Sequence, residues 1–524
     1  MSPTIPFRTP GGRHKEKFPI HVEEEGDGEF PDAANMLATN DAATVDFDSP
    51  QDPSRAVNWE PRKKWILIMV LSSMTFITYM LSSHPSISDV QLMKITSALA
   101  SAMFAPGVPQ LMGEFRSKNS VLASLVVSIY ILGNAFGPIL LAPLSEIYGR
   151  SPIYHVTNIF FVIFTMACAL SSSLNMLIGF RFLQGTAGSA AIALGGGTVA
   201  DLFIQEERGK AIALWAMCPL LGPVVGPVVG GFLSAGLGWR WVFWVLAIAA
   251  SVVMVAYFVF VPETYSVVIL QRKTVRLRKQ LRNPYLRSKM DSGLSYSVTF
   301  RQAIIRPLKM LLFSPIVASL ATLSAVVYGY LYLVFTTITN VFETNYGFSP
   351  NIVGLTFIGV GLGMMTGVAA FGGLSDRILV RKARANNGEL KPEYRLSIMI
   401  PCGLCTPVGF FIYGWTAEKH VFWLVPILGT SLIGAGVMAY FIPIQAYLLD
   451  AFTIHAASAL AANAIWRSIV GALIPLAGLP MYDALGLGWG NSLLGFISII
   501  LIPVPMAILV YGERIRKSAR FQIE

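Results

Sequence analysis

The hydrophobic pattern of the chain is a series of long apolar runs separated by short polar segments. A helix that crosses lipid needs about 20 apolar residues. Between Lys309 and Arg377 there is no lysine or arginine, and the only acids are Glu343 and Asp376. A water-facing surface of that length needs more charge, whereas helices in lipid do not. We predict twelve spans, at residues 65–106, 120–142, 152–172, 175–200, 210–234, 240–261, 311–338, 350–373, 396–416, 421–448, 455–481 and 491–511.

The polar segments divide these spans into two sets of six. Residues 1–60 hold twelve Asp and Glu against five Lys and Arg, which is typical of a disordered cytosolic tail. Residues 266–309 carry eleven Lys and Arg and one acid, so the positive-inside rule makes them a basic cytosolic linker. This linker could also contact anionic lipid, although orientation is the interpretation we favour. The remaining expected units are six-helix bundles at 61–265 and 310–512, and a cytosolic tail at 513–524.

Composition excludes several classes of function. Charged residues make up 13% of the 524 residues, against about 25% in soluble domains. The net charge of +10 does not indicate nucleic acid as a partner, because the basic residues lie in loops between spans. The chain has no GxxxxGK[ST] loop, clustered His ligands or serine elbow, so we predict neither an enzyme nor an ATP-driven pump, and no cofactor. Cys402 and Cys405 form a CxxC without a second ligand pair, so we predict no metal site.

An internal repeat supports a six-plus-six arrangement. Residues 144–146 (LSE) end the second span, and residues 374–376 (LSD) end the eighth. Asp201 ends the fourth span, and Asp450 ends the tenth. Matching acids at matching helix ends are expected of a duplicated transporter fold.

Three glycine-containing motifs stand at helix ends or inside helices. Residues 137–150 run from the second span into a tight loop, where Glu146 and Arg150 could form a charge pair. In the fourth span, Arg181, Gln184, Gly185 and Gly188 share one helix face, and a charge inside the membrane is usually functional. In the fifth span the glycines recur every four residues and alternate with two prolines, which predicts a groove and a bend. The candidate gating residues are Gly137, Pro138, Glu146, Gly149, Arg150, Gly222, Pro223, Gly226, Pro227, Gly230, Asp376 and Arg377.

These motifs together resemble the signatures of the major facilitator superfamily. The GPxxGPxxGG run of the fifth span is similar to the antiporter motif of drug:proton antiporters. Residues 103–107, 262–265 and 391–396 resemble the fungal twelve-spanner drug and polyamine branch. The resemblance covers roughly residues 55–515. It implies an all-α membrane protein of two pseudo-symmetric six-helix bundles, a plasma-membrane monomer that exports drug-like small molecules or secondary metabolites against protons. A polyamine transporter and a vacuolar location are the alternatives.

Aromatic and amide side chains in the later spans are the substrate-binding candidates, since aromatic faces suit bulky, partly apolar or cationic ligands. They are Tyr328, Tyr332, Tyr440, Gln445, Tyr447, Asn463, Trp466 and Arg467. Carboxylates inside the spans are scarce, so the proton-coupling candidates are Arg181, Gln184, Asp201 and Asp450. A polycation would want cavity acids, so the polyamine alternative ranks second.

The first predicted span is irregular, because residues 65–106 are twice as long as one crossing requires. Its middle, residues 79–96, contains His84, Asp89 and Lys94 together with a proline. Removal of this segment leaves an ordinary span. We interpret it as an unspliced intron in the gene model or as a real insertion.

Overall fold

A computed structural model describes residues 44–49, 51–72, 103–203, 222, 225–291, 296–386, 391–452 and 456–517. Within these ranges the chain is a set of helices with one two-stranded ribbon. Residues 79–96, the irregular part of the first predicted span, lie outside the described residues.

In its described residues, the N-terminal half contains eight α-helices. Polar caps start several of them: Asn119 accepts a hydrogen bond from the amide of Val121 (2.9 Å), and Ser173 accepts one from Met176 (3.3 Å). The helices are α1 (Pro61–Ser72), α2 (Val108–Glu114), α3 (Ser120–Tyr148), α4 (Arg150–Ala169), α5 (Leu174–Gly188), α6 (Ala190–Leu202), α7 (Val225–Leu237) and α8 (Trp239–Phe260).

The linker and the C-terminal half continue the series. The linker contains α9 (Ser266–Leu281), β2 (Arg287–Ser288) and α10 (Tyr296–Phe313), and β2 pairs in parallel with β1 (Thr44–Val45). The C-terminal half contains α11 (Pro315–Tyr346), α12 (Pro350–Ala385), α13 (Met399–Cys402), α14 (Cys405–Glu418), α15 (Leu424–Ala451), α16 (Ala456–Leu473), α17 (Gly478–Leu501) and α18 (Pro503–Lys517).

The described helices account for most of the predicted spans. Nine helices or helix runs in the described residues are long and apolar enough to cross a membrane. One of them, Ser458–Arg516, is interrupted at Gly486, where φ is +76°, and therefore holds the eleventh and twelfth spans. α7 is a shorter apolar helix at the predicted fifth span. The first predicted span lies mostly outside the described residues.

Some boundaries differ from the sequence-based prediction. The seventh span begins at Pro315 instead of residue 311, because Ser314 caps the helix by accepting from the Val317 amide (3.5 Å). The eighth span continues as helix to Ala385, beyond its predicted end at residue 373, so Arg377, Arg381, Lys382 and Arg384 lie on this helix. Lysine and arginine favour helix and stabilise its C-terminal end, which accounts for the extension.

The described residues between 44 and 60 are ordered, in contrast to the disorder expected of residues 1–60. β1 pairs with β2, and Val45 packs with Leu270 and Leu286 of the linker. Asp46 pairs with Lys289 (2.6 Å), while Asp48 and Asp52 lie 2.7 Å and 3.6 Å from Lys273. The acidic segment is ordered because the basic linker supplies its counter-charges.

The two halves meet along α3, which packs against α16. Among the spans that the structure describes, α11 is the most buried. Of its most apolar 18-residue stretch 72% is buried, compared with 41% for the peripheral sixth span. Large apolar side chains on α4, α8 and α17 are exposed, as lipid-facing positions require. α11 packs against both α15 and α16, and we call these three helices the interior wall of the C-terminal half.

Candidate functional site

The first cluster lies at the basic end of the molecule, which we define as the end that carries α9, α10 and the junction between α3 and α4. Arg150 Nε lies 3.4 Å from Asp201 Oδ2, so the start of the third span is tied to the end of the fourth. The Arg150 guanidinium also contacts the Ser145 hydroxyl and lies 4.8 Å from the centre of the Tyr265 ring. The pair is only partly exposed, at 11% and 17% of the two side chains.

The predicted charge pair between Glu146 and Arg150 is wrong. Glu146 is exposed, and Arg150 pairs with Asp201 instead. The turn explains the difference, since Gly149 has φ +101° and starts a new helix at Arg150. This turn places the arginine between Asp201 of α6 and Ser145 of α3, while Glu146 stays on the exposed side of α3.

Glu263 completes this cluster, and the sequence argument did not select it as a site residue. Its Oε1 accepts hydrogen bonds from the amides of Arg150 (2.9 Å), Thr264 (3.1 Å) and Tyr265 (3.0 Å). A Cβ at position 149 would collide with the Glu263 carboxylate, so only glycine fits there. The sequence feature that could have identified Glu263 is its position as an acid just after the predicted sixth span.

The C-terminal half has a corresponding cluster. Arg395 Nε lies 2.5 Å from Asp450 Oδ2, which ties the approach to the ninth span to the end of the tenth. Lys391 pairs with Glu513 (2.7 Å), and Arg516 pairs with Glu393 (3.2 Å). The predicted repeat of Asp201 and Asp450 therefore corresponds to two arginine–aspartate pairs. Arg377 is exposed on α12, and the side chain of Asp376 lies outside the described residues.

The glycine motifs mark close helix contacts. A Cβ at Gly137 would collide with the Ser189 hydroxyl, and Pro138 lies inside α3 beside this contact. A Cβ at Gly230 would collide with the Met103 carbonyl, and the Pro227 carbonyl occupies the space beside Gly354 of α12. Gly222 and Gly226 are buried, and Pro223 lies outside the described residues. The fifth span therefore packs against both the end of the first span and the eighth.

Arg181 is completely buried inside the N-terminal half. Its Nε donates to the Val126 carbonyl (3.1 Å), and its Nη1 lies 3.5 Å from Gln184 Oε1. Gln184 Nε2 in turn donates to Thr165 Oγ1 (2.8 Å). The guanidinium also lies within 6 Å of three aromatic ring centres, Phe104, Tyr130 and Phe243. This arginine links α3, α4 and α5 and does not extend to the membrane surface.

The second buried arginine, Arg467, lies in the interior wall of the C-terminal half. Its guanidinium is 4.7 Å from the Tyr328 ring centre and 4.9 Å from that of Phe441. Tyr328 and Tyr332 lie one turn apart, with ring centres 5.0 Å from each other and ring planes inclined by 59°. Asn463 is fully buried one turn before Arg467 on α16. A narrow cleft beside this cluster is lined by Ser324, Val327, Tyr328, Val437, Tyr440 and Phe441.

The other substrate candidates lie elsewhere. The Tyr440 ring borders the cleft, but its hydroxyl points to Gly403 on the ninth span. Tyr447 lies close to Glu393 and Arg516 at the basic end. Trp466 Nε1 donates to Thr322 (3.2 Å), an exposed residue, so it points away from the Arg467 side of α16. Gln445 is half-buried on α15. Sequence reasoning missed Ser324 and Phe441, which lack any local signature.

The chain was compared with known families and proteins. The family model described as Major Facilitator Superfamily matches residues 90–475. A protein named MFS-type transporter tndD, from Aspergillus flavipes, is 51% identical over 488 residues, which are 92% of this chain and 87% of the relative. Efflux pump radE of Floropilus chiversii is 49% identical, with 92% and 87% covered. MFS-type transporter penM of Penicillium rubens is 46% identical, with 95% and 94% covered.

Solved structures share the fold. A D-xylose-proton symporter superposes with a TM-score of 0.60 at 16% identity, over 84% of this chain and 98% of that one. A bacterial homologue of the human lysosomal transporter Spinster gives 0.60 at 14% identity, over 87% and 98%. The predicted all-α, two-bundle membrane fold is therefore confirmed.

Proposed function

The chain belongs to the major facilitator superfamily, and from this membership we propose that it exports drug-like small molecules or secondary metabolites by proton antiport. The observation that carries the proposal is the 49% identity, over nearly the whole chain, to a relative named as an efflux pump. The aromatic cleft around Tyr328 and Phe441 adds support, since aromatic walls suit bulky organic substrates.

The charge distribution supports an orientation with both termini in the cytosol. The basic end carries the linker with its eleven Lys and Arg, together with the Arg150 and Arg395 pairs. Positive residues remain on the cytosolic side of membranes. We place the protein in the plasma membrane because export from the cell requires it, with the vacuolar membrane as the alternative.

Proton coupling is proposed to involve the buried Arg181–Gln184 network and the two paired aspartates. Asp201 and Asp450 are the acids at the equivalent helix ends of the two halves, and each faces an arginine. A conformational change that opens the basic end would separate each aspartate from its arginine and so expose the carboxylate on the cytosolic side.

The polyamine alternative is less well supported. The aromatic faces of Tyr328 and Phe441, which could attract a cation, already face the Arg467 guanidinium. A second positive charge at this position would be repelled. We therefore favour organic molecules that are neutral or negatively charged over polycations.

The test is efflux from a yeast host that lacks its own exporters, with a panel of fluorescent drugs and a labelled polyamine. We expect drug efflux that a protonophore abolishes, and no polyamine efflux. Arg181→Gln should lose this efflux, whereas Arg276→Gln, on the exposed side of the linker helix, should keep it. Efflux that persists with the protonophore would contradict antiport. A parallel chain without residues 79–96 would show whether that segment is needed.

A further inference from the structure

The Arg467 cluster contains more hydrogen-bonding capacity than the described part of the chain satisfies. Arg467 is 8% exposed, yet its Nε and Nη1 have no hydrogen-bond partner in the described part of the chain. Asn463 is 0% exposed, and neither its amide nitrogen nor its amide oxygen is bonded. The buried hydroxyl of Ser324, on the cleft wall, is also unbonded. Buried polar groups are nearly always satisfied, so this concentration of free donors points to a ligand.

The geometry of these groups is set by two helices. Asn463, Arg467 and Gly471 follow each other at intervals of four residues on α16 and so share one face. A Cβ at Gly471 would lie 2.8 Å from Tyr328 Cδ1, so the glycine provides space for the tyrosine ring over the guanidinium. Ser324 lies one turn before Tyr328 on α11. Ser324, Tyr328 and Phe441 therefore line the cleft, and Arg467 lies against the two rings.

The charge of the cluster decides which ligand it accepts. A guanidinium taken out of water is unfavourable unless an acceptor faces it, and the two rings compensate only in part. Its free Nε and Nη1 can each donate a charge-assisted hydrogen bond to an acidic oxygen such as that of a carboxylate. Nearby, Asn463 can donate a further hydrogen bond to the same group. A ligand with an aromatic body could rest against Tyr328 and Phe441 at the same time.

We propose that the substrate of this transporter is an aromatic organic acid whose anionic group binds Arg467 and Asn463. This inference rests on the proposed export function and names its substrate class. It also accounts for a charged residue deep in a span, where an unpaired charge is expensive and is retained for a purpose.

The test uses two dyes with a common xanthene body and opposite charge, fluorescein (anionic) and rhodamine 6G (cationic). Binding to the purified full-length protein in detergent would be followed by fluorescence anisotropy. We expect the wild-type protein to bind fluorescein more tightly than rhodamine 6G. Arg467→Gln should weaken fluorescein binding at least tenfold, Arg467→Lys should weaken it less, and the exposed control Arg276→Gln should leave it unchanged. Wild-type preference for rhodamine 6G, or no binding of fluorescein, would overturn the proposal.

A second variant distinguishes loss of the binding site from misfolding of the protein. Asn463→Asp would place a carboxylate one turn from Arg467 on the same face, so the chain itself would supply the missing anion. We expect this variant to melt at a temperature equal to or above that of the wild type and to lose fluorescein binding. Retained fluorescein binding in Asn463→Asp would contradict an anion site at Arg467.

The binding assay also separates this proposal from the proposed function. If fluorescein binding depends on Arg467 but no protonophore-sensitive efflux is seen, the anion site is supported and antiport is contradicted. If drug efflux is protonophore-sensitive but Arg467→Gln leaves fluorescein binding unchanged, the export function is supported and the anion site is overturned.

Discussion

Gly149 shows how one residue can be fixed by backbone geometry and by a neighbour at once. Its φ of +101° disfavours any side chain, and the Glu263 carboxylate fills the position of a Cβ. We predict that Gly149→Ala destabilises the basic end by at least ~1–2 kcal/mol, through the positive φ and the displaced carboxylate. A fall in melting temperature and in efflux would be measured on the purified protein and in cells.

A matched control separates these two causes. Gly238 has a similar φ of +94°, but a Cβ there would meet no atom within 4 Å. Gly238→Ala should therefore show the backbone penalty alone and a smaller loss than Gly149→Ala. Equal losses in the two variants would mean that the contact with Glu263 adds nothing.

Residue identities that depend on local pattern could be predicted, whereas partners across helices could not. The shared helix face of Arg181 and Gln184 followed from their spacing, and the structure shows that both residues are 0% exposed. The sequence predicts a charge pair between Glu146 and Arg150 in one tight loop, but a glycine turn separates them and Arg150 meets Asp201. The places of Phe441 and Ser324 in the cleft could not be predicted, because they depend on how α11 and α15 pack together.

The N-terminal segment shows the same limit for whole elements. Its acidic composition predicted disorder, but order comes from the linker more than 200 residues away, through β1 and β2 and the Lys273 and Lys289 pairs. Asp52 is central to this segment. Its carboxylate accepts from the Ser54 hydroxyl (2.6 Å), the Ser54 amide (2.8 Å) and the Asp48 amide (3.0 Å). These bonds lower the pKa of Asp52 to about 2.

We predict that Asp52→Asn releases the segment from the linker. Because the folded pKa of about 2 lies below the ordinary 3.8, the ionised carboxylate stabilises the segment fully above pH 4. That stabilisation is lost as the pH falls through 2. Amide hydrogen exchange at pH 7 should show faster exchange over residues 51–58 in Asp52→Asn. Asp48→Asn, which changes a side chain that is 84% exposed, should have a smaller effect. Relative to a disordered control substrate in the same mixture, pepsin should cut the wild-type segment faster at pH 2 than at pH 4.

At the scale of the molecule, the two halves repeat one arrangement with different residues. Each half ties the approach to its third helix to the end of its fourth, through Arg150 and Asp201 or through Arg395 and Asp450. Hydropathy could predict the spans and the repeated acids, because both are properties of single helices. At the end of the N-terminal half opposite the basic end, Glu114 accepts hydrogen bonds from Trp239 (2.7 Å) and Arg240 (2.6 Å), and these bonds lower its pKa.

We predict that the two arginine–aspartate pairs act independently. Alternating access by rigid-body motion requires each half to keep its internal arrangement. Each pair is partly exposed and is worth about 1 kcal/mol or less, which corresponds to a change of up to about fivefold in a conformational equilibrium. Asp201→Asn and Asp450→Asn should each reduce protonophore-sensitive efflux severalfold, and the double variant should show the product of the two factors. A double variant no worse than either single one would mean that the pairs act in one step. Complete loss of proton-driven efflux in a single variant, with substrate exchange retained, would instead identify that aspartate as the proton carrier.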